Sequence, residues 1–345
     1  MATILVATSS PPFVDGGHLV MARELVNALE AHGHRAALVV TPQNRFGRQG
    51  AAYLAAWFTD VSLAHDGRKV DQVISLRYPA YAVRHDRHVV WLNHRMREYY
   101  DLWDQFAAGL SSRALVKERT RRAIIHRADR HLLSRVQRRF AISATVQARL
   151  QKWGGINSEV LHPPPPVRSY RNDGYGDYVF AVSRLAPLKR FDLLLRALSE
   201  PAARHVRCVI AGEGSEAEPL LRLAQQLDLQ ARVTFVGCID DAQLLEHYAK
   251  CRAVVFPTFD EDYGFVTVEA FSSGKAVITC HDSGGPAELV RNDESGLVVD
   301  PSAAGLAKAI VAVMDDRTLA TRLGEAGSQQ AARMSWTEAV KRLVL

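Results

Sequence analysis

The chain has little cysteine. Cys208, Cys238, Cys251 and Cys280 are the four cysteines in 345 residues, none in a C-x-x-C pair and none at zinc-like spacing from a histidine. That argues against a disulfide framework or a zinc module and for reduced, inert thiols. No apolar run approaches the roughly 18–20 residues needed to span a bilayer. No basic leader precedes the first apolar run, Ile4 to Ala7, so no signal peptide is expected and a cytoplasmic location is. Low-complexity tracts, short tandem repeats and nucleic-acid-binding motifs are also missing. With 48% hydrophobic residues, the chain is long enough for two domains, each with its own core.

Negative charge is scarce in one region. Residues 1–165 carry 23 Lys+Arg against 13 Asp+Glu, or +10; the remainder carries 20 against 24, or −4. Residues 113–152 alone hold twelve basic and two acidic residues, again +10. A basic helical stretch is either a solvated face or a surface for an anionic partner. With no nucleic-acid motif present, the partner expected is an anionic membrane surface, reached through 113–152 from the cytoplasmic side, and not nucleic acid.

The pattern alternates strand and helix. Ile4–Ala7 reads as a buried strand, and Leu19, Ala22, Leu25, Val26 and Leu29 share a helical face that Gly33 closes. Ala36–Val40, Val73–Leu76 and His88–Leu92 read as further strands. Helical composition runs from Ser112 to Arg139, and Phe140–Ser143 reads as a strand. The four prolines Pro163–Pro166 can continue neither a helix nor a central strand, so the domain boundary falls there. The second half repeats the alternation, with strands at Tyr178–Val182, Arg207–Ala211, Val233–Phe235, Ala253–Phe256 and Ala276–Thr279. The expected organisation is α/β: two Rossmann-like, doubly wound domains, 1–165 on the acceptor side and 166–330 for a nucleotide sugar, facing each other across a cleft. Residues 331–345 are expected to form a helix packing back on the first domain.

Phe259 to Glu269 is the most informative stretch. It follows a buried strand and opens a helix, so the backbone N–H groups of Gly264, Phe265 and Val266 can seat an anion. Glu261 and Glu269 flank those groups with seven residues between them. They either clamp vicinal sugar hydroxyls or simply favour the positive end of the helix. Arg184 and Lys189 follow another strand, where two cations suit a diphosphate. Gly212-Glu213-Gly214 follows a third, and a bare G-x-G is weak evidence by itself.

Together these residues resemble family 4 glycosyltransferases. Glu261-x7-Glu269 with Gly264-Phe265 between them looks like that family's E-x7-E signature. Lys189-Arg190-Phe191-Asp192-Leu193 resembles its K-G-x-D-x-L run, with Arg190 where glycine is usual. Residues 270–298 resemble the helix, strand and loops that follow. The resemblance implies a GT-B fold and a retaining transfer of sugar from a UDP- or GDP-linked donor to an acceptor hydroxyl. It places that reaction in glycan, glycolipid or surface-polysaccharide synthesis, with a lipid-linked acceptor among the candidates. By the same resemblance Glu261 faces the donor sugar, Glu269 the ribose, and Arg184 and Lys189 the leaving diphosphate. Gly212, Gly214 and Ile239 lie near the nucleotide, Gly16 and Gly17 (after Asp15) near the diphosphate, and His94 near the donor sugar. No metal and no cofactor are expected, since Arg184 and Lys189 can supply the charge. The alternatives are an epimerase or phosphorylase on the same fold, or a non-catalytic nucleotide-sugar binder.

Overall fold

A computed structural model describes residues 1–13, 16–43 and 46–345. It divides into two compact units, Met1–Pro166 with Ser335–Leu345, and Val167–Met334.

In the first unit the strands are β1 (Thr3–Ser10), β2 (Arg35–Pro42), β3 (Gln72–Ser75), β4 (His88–Leu92), β5 (Arg138–Ala141) and β6 (Glu159–Val160). All their pairings are parallel, in the order β2-β1-β3-β4-β5-β6. The helices are α1 (Gly17–Ala31), α2 (Gln49–Phe58), α3 (Trp103–Ala108), α4 (Ser112–Ser134) and α5 (Ala144–Gly154). Helix α4 is shorter than its composition suggests. It ends at Ser134, and Arg138 and Arg139, expected in the helix, lie in β5. Arg139 turns back to donate to the carbonyls of Leu133 and Val136, the last carbonyls of a helix being without partners inside it.

A buried polar knot fixes α4 against the rest of the unit. Asp129, fully buried, accepts hydrogen bonds from Tyr53 of α2, from Tyr81 at 2.6 Å and from Tyr100 at 2.7 Å. Burial pushes its carboxyl up, and the three phenols oppose that by holding the charged form. The chain's last helix also belongs here. The Gln72 amide donates to the Leu343 carbonyl at 2.6 Å and accepts from the Leu345 amide, tying the chain's end to β3.

The second unit has β7 (Tyr178–Val182), β8 (Arg207–Ala211), β9 (Val233–Gly237), β10 (Ala253–Val255), β11 (Ala276–Cys280) and β12 (Gly296–Val299). Again all pairings are parallel, in the order β12-β11-β10-β7-β8-β9. Its helices are α6 (Phe191–Ser199), α7 (Ala217–Gln226), α8 (Asp241–Lys250), α9 (Phe265–Ser272), α10 (Gly285–Leu289), α11 (Ala303–Asp315) and α12 (Arg317–Ala332); α13 (Trp336–Leu343) is the first unit's. Strand alternation sends Val179 and Ala181 to one core cluster and Phe180 to the other, so helices cover both faces.

Each sheet has one place where neighbouring strands send their crossovers in opposite directions: β1/β3 in the first unit and β7/β10 in the second. Such switch points leave a crevice at the carboxyl ends of the strands, where ligands of open α/β sheets bind.

His88 in β4 offers a test of the first unit's core. Its ring is buried, bonded to Ser75 at 2.8 Å, and burial lowers its pKa to about 4. The folded unit therefore keeps it neutral, while the unfolded chain takes up a proton below about pH 6.5. Stability should fall as pH drops from about 6.5 to about 4, by on the order of 3 kcal/mol. Urea unfolding near pH 7 and near pH 5 should show this dependence, and His88→Asn should flatten it.

Candidate functional site

The β7/β10 crevice collects residues from three loops. The first loop follows β7 and carries Arg184 and Lys189. Its backbone is held by the loop after β8: Leu185 N–H donates to Glu213 O at 2.8 Å, and Glu216 N–H donates to Leu185 O at 3.1 Å. Gly212 and Gly214 have φ of 128° and 156°. A Cβ at Gly212 would stand 1.9 Å from Ser183 O, and one at Gly214 2.1 Å from Leu185 O. Both glycines are therefore required by contact between two main chains. That contact fixes the backbone of Arg184, whose side chain is exposed and makes no ion pair among the described residues.

The second loop, residues 256–264, follows β10. Its Glu261 carboxylate pairs with the Lys189 ammonium at 2.6 Å, with the side chains 21% and 13% exposed. Residues 72 positions apart thus meet across the crevice. Gly264, φ 80°, is the N-cap of α9. A Cβ there would lie 2.8 Å from both Phe256 and Pro286. The first N–H groups of α9 have no acceptor within the helix and sit at its positive end. Asp260 and Asp262 flank Glu261 at Asp-x-Asp spacing, a pattern passed over in expecting no metal. Among the described residues, no group of three or more His, Cys, Asp or Glu is placed to hold one.

The third loop follows β11. Asp260 N–H donates to Asp282 O, Glu261 N–H to Ser283 O, and Gly285 N–H to Glu261 O, at 2.8 to 2.9 Å. Gly284, φ 70°, admits this: its Cβ would be 2.5 Å from Glu261 O.

Arg190 joins all three loops. It occupies the left-handed region at φ 51°, ψ 41°, where a residue with a Cβ costs about 1–2 kcal/mol. Its guanidinium offsets that cost. It donates to Pro257 O at 2.7 Å, to Thr258 O, and as a fork to Asp282 at 2.6 and 2.9 Å. The departure from glycine at this position is a cross-brace between loops.

Glu269 sits inside α9 and is only 7% exposed. It accepts from Arg168 at 2.7 Å and from the Tyr248 hydroxyl at 2.9 Å. Burial pushes its carboxyl up, and the guanidinium works against that shift. Arg168 also reaches Asp241 at 3.1 Å. Neither Arg168 nor Tyr248 stood out in the sequence; the signal was only a basic residue just past the proline run and a Tyr inside a helix. Ile239 packs at the edge of the core cluster that contains Tyr248.

The remaining expected residues lie in the first unit. Gly16 is the N-cap of α1 with extended backbone, φ −161°, and Gly17 opens the helix. Asp15 lies outside the described residues. His94 follows β4, its Nδ1 2.7 Å from Arg95 O. It lines a small concavity with Leu92, Arg95, Arg97, Tyr100 and Asp101.

Residues 168–330 match the family described as Glycosyl transferases group 1. D-inositol 3-phosphate glycosyltransferase of Nocardia farcinica is 32% identical over 173 residues, covering 47% of this chain and 38% of that protein. The GDP-mannose-dependent alpha-(1-6)-phosphatidylinositol monomannoside mannosyltransferase of Mycobacterium tuberculosis is 32% identical over 191 residues, covering 51% and 49%. The matched segments thus span less than half the length of these relatives. Among solved structures, sucrose-phosphate synthase from Thermosynechococcus elongatus superposes with a TM-score of 0.74 at 18% identity, covering 98% of both chains. That likeness shows the fold, which is the GT-B fold of glycosyltransferases. The family match falls on residues 168–330, the segment that carries the β7/β10 crevice.

Proposed function

We propose that this chain is a retaining glycosyltransferase. It moves a sugar from a UDP- or GDP-linked donor to an acceptor hydroxyl in glycan, glycolipid or surface-polysaccharide synthesis. The observation that carries this reading is the Lys189–Glu261 pair at the switch point, beside Arg184 and the N-terminus of α9. A donor diphosphate seated on the N–H groups of Gly264, Phe265 and Val266 would draw Lys189 and Arg184 onto its oxygens. Lys189 then releases Glu261 to face the sugar hydroxyls. As the glycosidic C–O bond breaks, negative charge grows on the leaving phosphate, and these cations and amides stabilise it electrostatically. The acceptor attacks from the face the diphosphate leaves, and a phosphate oxygen takes its proton. Glu269, beside Arg168, accepts from the ribose hydroxyls. Gly212, Gly214 and Ile239 border the nucleotide. With two cations, Arg184 and Lys189, to take the diphosphate charge, the reaction is metal-independent, and the GDP-mannose-dependent relative makes a glycolipid acceptor the leading candidate.

The membrane partner rests on α4. Arg121, Arg122, Arg138 and Arg139 of the basic segment 113–152 are all engaged. Arg122 donates to Tyr99 O and lies over Trp103, Arg139 caps α4, Arg121 pairs with Glu118, and Arg138 donates to Arg342 O. The outward face is different. Arg113, Lys117, Arg119, Arg127 and Arg130 are exposed, together with Val116 and Ile124. Both acids of α4, Glu118 and Asp129, are on the buried side. The exposed face thus carries five Lys and Arg and no acid, with Val116 and Ile124 among them, the composition of a surface that lies on anionic lipid at the cytoplasmic side. No helix among the described residues is long and apolar enough to cross a membrane.

Calorimetry with UDP and GDP should give the same affinity with and without a chelator; binding abolished by the chelator refutes metal independence. Glu269→Ala should weaken nucleotide binding by about 1–3 kcal/mol and lower the melting temperature, because Arg168 and Tyr248 lose their acceptor. Glu261→Ala should cut turnover while nucleotide affinity stays level or improves, because Lys189 is freed; equal loss of affinity in both variants would contradict the assigned roles.

Sedimentation with vesicles tests the membrane surface. The protein should pellet with anionic and not neutral vesicles, less so at high salt, each cation contributing about 1 kcal/mol. Changing Lys117, Arg119, Arg127 and Arg130 to Gln should release it and leave nucleotide binding unchanged. Wild-type protein remaining in the supernatant throughout returns α4 to a solvated helix.

A further inference from the structure

Residues 168–176, just past the proline run, form a strap across the second unit. Asp173 N–H donates to Ala249 O and Gly176 N–H to Lys250 O, both at 3.0 Å, so the strap follows the end of α8. Arg171 pairs with Glu246 of the same helix. Lys275, fully buried just before β11, donates to Asn172 Oδ1 at 2.8 Å and to Gly174 O. The Tyr175 hydroxyl donates to Gly274 O at 2.9 Å. A segment without helix or strand of its own is thereby fixed along its length, and Arg168 at its head is fixed with it.

The Arg168 guanidinium joins two helices. Nη1 donates to Glu269 Oε1 of α9 at 2.7 Å, and Nη2 lies 3.1 Å from Asp241 Oδ1 in the first turn of α8. A planar fork spans two carboxylates in this way and a single ammonium does not. The other Glu269 oxygen, Oε2, accepts from the Tyr248 hydroxyl at 2.9 Å. Each oxygen of the carboxylate is thus held once, by a different element. An ionised carboxylate has about four acceptor sites, so open sites remain on both oxygens, and the side chain keeps 9% of its surface exposed. Open sites on both oxygens of one fixed carboxylate match a pair of vicinal hydroxyls.

We propose that Arg168 is a positioning residue for the donor nucleotide: with Tyr248 it fixes Glu269 so that the carboxylate meets both ribose hydroxyls at once. This rests on the reading of Glu269 as the ribose acceptor. Arg168 touches no substrate and acts through Glu269. Without it the carboxylate keeps one tether, turns about its side-chain torsions and matches one hydroxyl at a time. Charge follows the same arrangement. Burial raises the Glu269 carboxyl, Arg168 works against that rise, and Asp241 adds to it. The Tyr170 and Tyr248 phenols nearby stay neutral, pushed up by burial and by Glu269 itself. A protonated Glu269 gives up an acceptor site, so loss of Arg168 moves the fall in nucleotide affinity to higher pH.

Calorimetry on the full chain with UDP, GDP and their 2′-deoxy forms tests this. The wild-type protein should prefer the ribonucleotide about tenfold, the effect of one charge-assisted hydrogen bond. Arg168→Gln should weaken ribonucleotide binding about tenfold and the 2′-deoxy form far less, so that the preference nearly disappears. An arginine with a purely structural role would weaken both forms equally. Arg168→Lys keeps the charge and loses the fork; it should hold the wild-type pH profile and lose most of the preference. Tyr248→Phe keeps the ring in the core and should reduce the preference by itself, so the readout survives if an Arg168 variant does not fold. Followed from about pH 8 to about pH 6, affinity should begin to fall at a higher pH in Arg168→Gln than in the wild type. The diphosphate's own titration is common to both and cancels in the comparison. Preference and pH profile unchanged in Arg168→Gln and Tyr248→Phe overturn the proposal and leave the transfer reading standing. A wild-type protein that binds neither UDP nor GDP defeats both.

Discussion

Adjacent parallel strands whose crossovers leave in opposite directions cannot both be covered at their carboxyl ends. At β7/β10 that constraint opens a crevice, and the chain has to line it with groups that tolerate being half out of water. Lys189 and Glu261 do so by neutralising each other over 2.6 Å. The loops around them are stitched together by main-chain hydrogen bonds and by Arg190. A loop edge bound in this way keeps its geometry without a ligand, which is the preorganisation that electrostatic catalysis needs.

Much of this was legible in the sequence because strands buried on both faces read as short apolar runs. Tyr178–Val182, Arg207–Ala211 and His88–Leu92 match β7, β8 and β4 to the residue. Helices were less legible where glycine interrupts them. Helix α12, sixteen residues long, carries Gly324 and Gly327, poor helix formers that lower any expectation of a helix. Their reason is tertiary: a Cβ at Gly324 would stand 2.1 Å from Gly274 O, and one at Gly327 2.5 Å from Phe271. The overlong reading of α4 has a different cause. Basic residues continue past Ser134 without a break, and composition alone does not mark where a helix gives way to a strand.

The candidate site was legible in its members and not in their mutual contacts. Glu261 and Lys189 stood out by spacing, yet nothing in the sequence says that they pair. Glu269 stood out as well, while Arg168 and Tyr248, which make its burial tolerable, did not. Partners across a fold carry no local signature, since they are set by which strands become neighbours. Arg190 shows the limit most clearly. In the sequence it is only a departure from the usual glycine, and its guanidinium ties together loops up to 92 positions away.

The two glycines after β8 constrain how this scaffold could be remade. Each stands about 2 Å, measured from a would-be Cβ, from a carbonyl oxygen of the facing loop. Positions 212 and 214 therefore admit one letter each, whatever small molecule the protein handles. An engineer could exchange the side chains along this edge to suit a different ligand and leave the two backbones in register. Altering either glycine would push the loops apart and move Arg184 before any ligand arrived. A G-x-G found at this point in other sequences thus reports the spacing of two main chains, and it says nothing by itself about what they bind.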